Sequence, residues 1–185
     1  MGLMQLPDDL PVPFDDGAAD HLRGLRLPHV ALPSTGGRNV DVGKLGAGRT
    51  VLYLYPRTGR PERGVPPGWD SIPGARGCTP ESCGFRDHFA DLQALGAGVF
   101  GVSTQDTEYQ REAVDRLELP FELLSDSRHD LTRALRLPTF EFEGETLLKR
   151  VTFIVRDGIV EHVFYPVFPP DRHAEEVLAH LASLA

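Results

Sequence analysis

The chain has 185 residues, 41% hydrophobic and 25% charged, which suits one compact folded unit with a core of its own. With 19 Lys and Arg against 27 Asp and Glu, the formal charge of −8 excludes a nucleic-acid partner held by phosphate neutralisation. No apolar run approaches the roughly 18 residues that a membrane-spanning helix needs, so no partner membrane is expected.

Residues 1–27 read as a polar, Pro-containing extension of weak periodicity. The first basic residue is Arg23, so the charged and apolar parts of a secretory signal are both missing, and a cytoplasmic protein is the expectation. Thr50–Tyr55 is a β-branched and aromatic run that ends at Pro56 and predicts a buried strand. Pro56 to Pro80 then holds six Pro and five Gly, too many for a helix or strand, and predicts one long ordered loop.

Phe85, Phe89, Leu92 and Leu95 stand at helical spacing and predict a helix over Thr79–Leu95, with Thr79 and Pro80 at its start and Gly96 as its stop. Beyond it the pattern gives a strand over Gly98–Val102, a helix over Tyr109–Leu117, a strand over Phe121–Leu124 and a short helix over His129–Leu135. Arg150–Val155, Asp157-Gly158 and Ile159–Phe164 read as a hairpin with favoured turn chemistry. A last amphipathic helix covers Arg172–Leu184. Strands and helices in the order βαβαβαββα predict an α/β fold, a central mixed sheet flanked by helices.

The two cysteines, Cys78 and Cys83, lie at the start of the first helix. Unpaired N–H groups and the macrodipole there favour an anion, and a thiolate is an anion. A thiol of pKa about 8.5 is only about 3% ionised at neutral pH, so lowering it to about 6 raises the nucleophile roughly thirtyfold. Arg76, two residues before Cys78, reads as a solvated loop residue. On an ideal helix residues five apart have Cα atoms about 8–9 Å from each other, beyond the reach of a disulfide, so a bond between these sulfurs requires the helix to unwind. Gly84, poor in helix interiors, makes that unwinding easier. The pair also fits a small core cysteine beside a chance neighbour. A metal site is not expected, since only His88 lies near and reads as solvated.

Gly77-Cys78-Thr79-Pro80-Glu81-Ser82-Cys83-Gly84-Phe85-Arg86-Asp87 resembles the active-site helix of the bacterioferritin comigratory protein, or Q-type, branch of the peroxiredoxins. Leu52 to Pro56, Gly101-Val102-Ser103, Leu119 to Asp126 and Arg150 to Val155 resemble further motifs of that family, in the family's order, from about Pro28 onward. The resemblance implies a thioredoxin-like domain over 28–185 and thiol-dependent reduction of hydrogen peroxide and organic hydroperoxides. Cys78 is then the peroxidatic and Cys83 the resolving cysteine, no cofactor is implied, and thioredoxin or a glutaredoxin-like dithiol recycles a monomer or weak dimer. It also points Arg150 at the thiolate; without it Arg150 reads as an exposed strand-end arginine.

The family's Pro seven residues and Thr three residues before the peroxidatic cysteine are here Ser71 and Ala75. Residues 59–74 then look inserted, and Thr58, or else Ser71, supplies the missing hydroxyl. Trp69, in that segment, is expected near the site as a partial lid or as a surface anchor. Two other functions remain in view: a peroxide sensor of the same fold with poor turnover, and a general thiol-disulfide oxidoreductase, whose C-x-x-C spacing is absent.

Overall fold

A computed structural model describes residues 2–185. Its strands are β1 (Ala31–Pro33), β2 (Asn39–Asp41), β3 (Arg49–Leu54), β4 (Ala97–Ser103), β5 (Leu123–Ser125), β6 (Thr139–Phe142), β7 (Glu145–Leu148), β8 (Val151–Arg156) and β9 (Ile159–Phe164). Its helices are α1 (Cys78–Asp87), α2 (Phe89–Ala94), α3 (Thr107–Leu117), α4 (Asp130–Leu135) and α5 (His173–Ser183). Five strands form the central sheet in the order β5-β4-β3-β8-β9. β3, β4 and β5 run parallel, while β8 and β9 pair antiparallel, so the sheet is mixed as expected.

Successive side chains of a strand point to opposite faces, and β3 is buried on both. Val51, Tyr53 and Tyr55 face one core with both cysteines, Phe85 of α1, and Val177 and Leu181 of α5. Leu52 and Leu54 face the other with Leu131 and Leu135 of α4. This two-sided burial is why the run from Thr50 to Tyr55 lacks the alternation of a half-exposed strand.

The continuous helix expected over 79–95 is two helices, broken at His88 (φ −99°, ψ 7°). The bend keeps Phe89, Leu92 and Leu95 on the core, so apolar spacing alone is the same with and without it. The hairpins β1–β2 and β6–β7 were not expected. Their strands are only three or four residues long, too short for a readable period.

The N-terminal residues, read as a polar extension, are packed. Ala19, Leu22 and Leu27 join the α4-side core. The amides of Gly24 and Leu27 donate to Val160 and Gly158, and Val160 donates to Leu25, so the segment covers the exposed edge of β9.

Candidate active site

α1 starts at Cys78 because Gly77 turns the chain with φ 104°, a left-handed conformation that suits glycine. A Cβ there would also stand 2.3 Å from Cγ of Pro170. Gly77, and not Thr79, is therefore the helix cap. Gly77 has no side chain with which to cap α1, which leaves first-turn N–H groups for an anion.

Arg150 sits one residue before β8, and β8 is hydrogen-bonded to β3, the strand that leads toward the site. Its side chain is buried, 4% exposed, and not the solvated strand-end group that position alone suggests. Nη2 donates to Cys78 Sγ at 3.2 Å and to the carbonyls of Ala75 (3.3 Å) and Arg76 (3.2 Å), while Nη1 pairs with Glu81. The Cys78 thiol itself faces the Ala75 carbonyl at 3.7 Å. Glu81 lies one helical turn after Cys78, on the same face of α1, and both therefore meet the guanidinium.

Cys78 is only 3% exposed, and burial pushes its thiol up from its ordinary value. Arg150 pulls in the opposite direction, the Glu81 carboxylate pushes up, and a backbone N–H from Arg57 pulls down. The expected depression is thus not the net result in the closed pocket, because desolvation of a thiolate outweighs one guanidinium shared with a carboxylate. Burial raises Glu81 too, against the pull of Arg150.

This arrangement predicts the effect of Glu81→Gln. The amide keeps an acceptor for Arg150 Nη1 but removes the negative charge, so the Cys78 pKa falls and the pH–rate midpoint for peroxide attack moves down. Ultraviolet titration of the thiolate checks it; an unmoved midpoint means that Glu81 carries no charge felt at the sulfur.

Cys83 lies in α1 with Cys78, and both are buried and not bonded to each other. Burial raises its thiol, with Arg86 opposing. Its Sγ touches Met4 Sδ at 3.8 Å.

Arg76 differs from expectation. It is 5% exposed and points away from the sulfur, toward Asp70 (3.1 Å) and the carbonyls of Gly2 and Gln5 (both 2.9 Å). Thr58 is brought to the site, 1% exposed and on the wall of the same cleft as Cys78. However, its N–H and hydroxyl both donate to Gln105 Oε1 (2.9 and 3.3 Å), and Gln105 Nε2 donates back to the Thr58 carbonyl. Ser71 is exposed and is not part of the cleft wall. His88 is half-buried beside Asp91, and no cluster of three metal-ligating side chains occurs among the described residues.

The cleft has a volume of about 920 Å³. Trp69 forms part of its wall and is fixed, edge-on to Phe142 at 4.9 Å with the Arg57 guanidinium over its ring at 4.7 Å. It is at once an anchor, onto β6 and its turn, and a neighbour of the cysteine. Glu81, Gln105 and the N-terminal contacts escaped the sequence reading. Of these, only Glu81, at helical spacing from Cys78, left a signal that could have found it.

The redoxin family model matches residues 22–178. Chloroplastic peroxiredoxin Q of Oryza sativa subsp. japonica is 31% identical over 88% of this chain and 67% of its own length, and that of Sedum lineare is 31% identical over 88% and 78%. Among solved structures, peroxidoxin BcpB from Mycobacterium tuberculosis superposes with TM-score 0.70 at 26% identity, covering 88% of this chain and 97% of that one. A peroxiredoxin Q structure from Xanthomonas campestris gives 0.64 at 26%, covering 86% and 97%. The chain belongs to the redoxin family, as a Q-type peroxiredoxin, a thiol peroxidase on a thioredoxin fold.

Proposed function

We propose that Cys78 is the peroxidatic cysteine, Cys83 the resolving cysteine and Arg150 the group that binds both thiolate and peroxide. The observation that carries this reading is the Arg150 Nη2 to Cys78 Sγ contact of 3.2 Å at an uncapped helix start. The Cys78 thiolate attacks the terminal oxygen of ROOH; the S–O bond forms, the O–O bond breaks, and RO⁻ takes a proton and leaves as ROH. Arg150 and the first-turn N–H groups face the charge that develops on the departing oxygen. Cys83 sulfur then displaces hydroxide from the Cys78 sulfenic acid, giving a disulfide and water. A dithiol donor, thioredoxin or glutaredoxin-like, returns both thiols while being oxidised to its own disulfide.

Thr58 joins this set as the hydroxyl that faces the peroxide once Gln105 yields it, and hydrogen peroxide and organic hydroperoxides are the substrates. Every group invoked comes from one chain, so the cycle requires no second copy. No helix among the described residues is long and apolar enough to cross a membrane. A cysteine pair that cycles between dithiol and disulfide suits a reducing compartment, and we assign the cytoplasm.

A second reading, peroxide sensing with poor turnover, draws on the burial that raises the Cys78 thiol and on the Thr58 hydroxyl being occupied by Gln105. Stopped-flow mixing with hydrogen peroxide, followed by Trp69 fluorescence and then thioredoxin-coupled consumption, separates the two. Peroxidase function gives a fast change in emission and sustained turnover. Oxidation without turnover supports sensing, and no oxidation overturns both.

A further inference from the structure

Residues 2–6 lie against the start of α1, where they line the Cys78 cleft and touch Cys83. Leu3 lines the Cys78 cleft and packs on Gly59, where a Cβ would stand 2.8 Å from its methyl carbon. Met4 Sδ rests on Cys83 Sγ at 3.8 Å. Leu6 packs beside Gly77, the residue that starts the helix. Two carbonyls of this segment, those of Gly2 and Gln5, accept 2.9 Å bonds from the buried Arg76 guanidinium, which Asp70 holds from the other side. None of these contacts has a part in peroxide attack.

We propose that residues 2–6 form a strap that holds the dithiol state, with Arg76 as its clasp, and that the strap leaves when Cys83 bonds to Cys78. This deepens the proposed function and rests on Cys83 being the resolving cysteine. Within α1 the two Cα atoms are about 8–9 Å apart, so the helix start must unwind before the sulfurs meet. Unwinding moves Gly77, Cys78 and Cys83, and so removes the surfaces on which Leu6 and Met4 rest. Met4 also covers the sulfur that must depart.

A segment that binds one redox state and not the other shifts the equilibrium toward the state it binds, and redox state in turn governs its release. The strap therefore raises the reduction potential of the pair and slows resolution, which lengthens the life of the Cys78 sulfenic acid. Met4 and Arg76 act through Cys83 and α1, as positioning residues.

The test forms the disulfide in the full chain with diamide, which takes two electrons from the thiols and needs no peroxidase step. Amide exchange over residues 2–8 should be protected in the dithiol form and at least tenfold faster in the disulfide form. Met4→Ala, at a side chain 54% exposed and so harmless to folding, should lower the midpoint potential by about 30 mV, a tenfold change in equilibrium, and speed the disulfide-forming phase without altering the rate of Cys78 oxidation. Arg76→Met should shift the potential the same way. Equal exchange in the two forms, an unmoved potential in Met4→Ala, or no Cys78–Cys83 bond with diamide overturns the strap. Absence of the peroxide-driven phase alone defeats the peroxidase reading and leaves the strap standing.

Discussion

Cys78→Ser abolishes peroxide consumption, while Cys83→Ser consumes one equivalent to form the sulfenic acid, at most one more to over-oxidise it, and does not turn over. A serine hydroxyl stays protonated at the site, so attack falls by a factor on the order of 10⁴–10⁶, the scale on which nucleophile removal is felt in other enzymes. Cys83→Ser keeps Arg150 and the helix start intact, so the first phase survives, and the sulfenic acid then goes on to sulfinic acid. Mass spectrometry of the peroxide-treated variants reads the outcome directly: unmodified protein for the first, Cys78 carrying one or two oxygens for the second. Reaction in Cys78→Ser together with silence in Cys83→Ser inverts the assignment. The asymmetry has a structural cause, because Arg150 donates to the Cys78 sulfur, whereas the Cys83 sulfur rests on the thioether of Met4.

How far the sequence reveals this site depends on the range of each interaction along the chain. The central strands are legible because β3 and β8 each carry a run of β-branched, aromatic and aliphatic residues, Thr50–Leu54 and Val151–Val155, that is buried throughout. The cysteine pair was legible because both residues lie in one helix. Arg150 stands 72 positions from Cys78, and nothing local marks it as buried; only the family motif around it did. Arg76 misled because a loop arginine between Ala75 and Gly77 reads as solvated, while its partners Asp70, Gly2 and Gln5 come together only in the fold. The pKa direction at Cys78 is hidden from the sequence for a related reason. The helix start is a local feature, but the burial that outweighs it is supplied by residues from the rest of the chain.

Arg150→Met slows peroxide attack by roughly 10²–10³-fold even where Cys78 is fully ionised, the loss expected for one donor at a developing oxyanion, about 2.7–4 kcal/mol. A second effect comes first as pH varies. Arg150 holds the Cys78 thiol down, so its removal raises the pKa, and at neutral pH each unit of rise removes a further tenfold of thiolate. Rates are therefore compared on the alkaline plateau, where only the transition-state loss remains. Stability confuses this experiment, since Arg150→Met leaves Glu81 buried without its cation, and breaking such a pair typically costs about 3–5 kcal/mol. The double variant Glu81→Gln, Arg150→Met removes that unpaired charge. It should regain most of the thermal stability while staying as slow as the single variant, because the lost charge at the oxygen is not replaced. Recovery of the plateau rate along with stability would reduce Arg150 to a structural partner of Glu81.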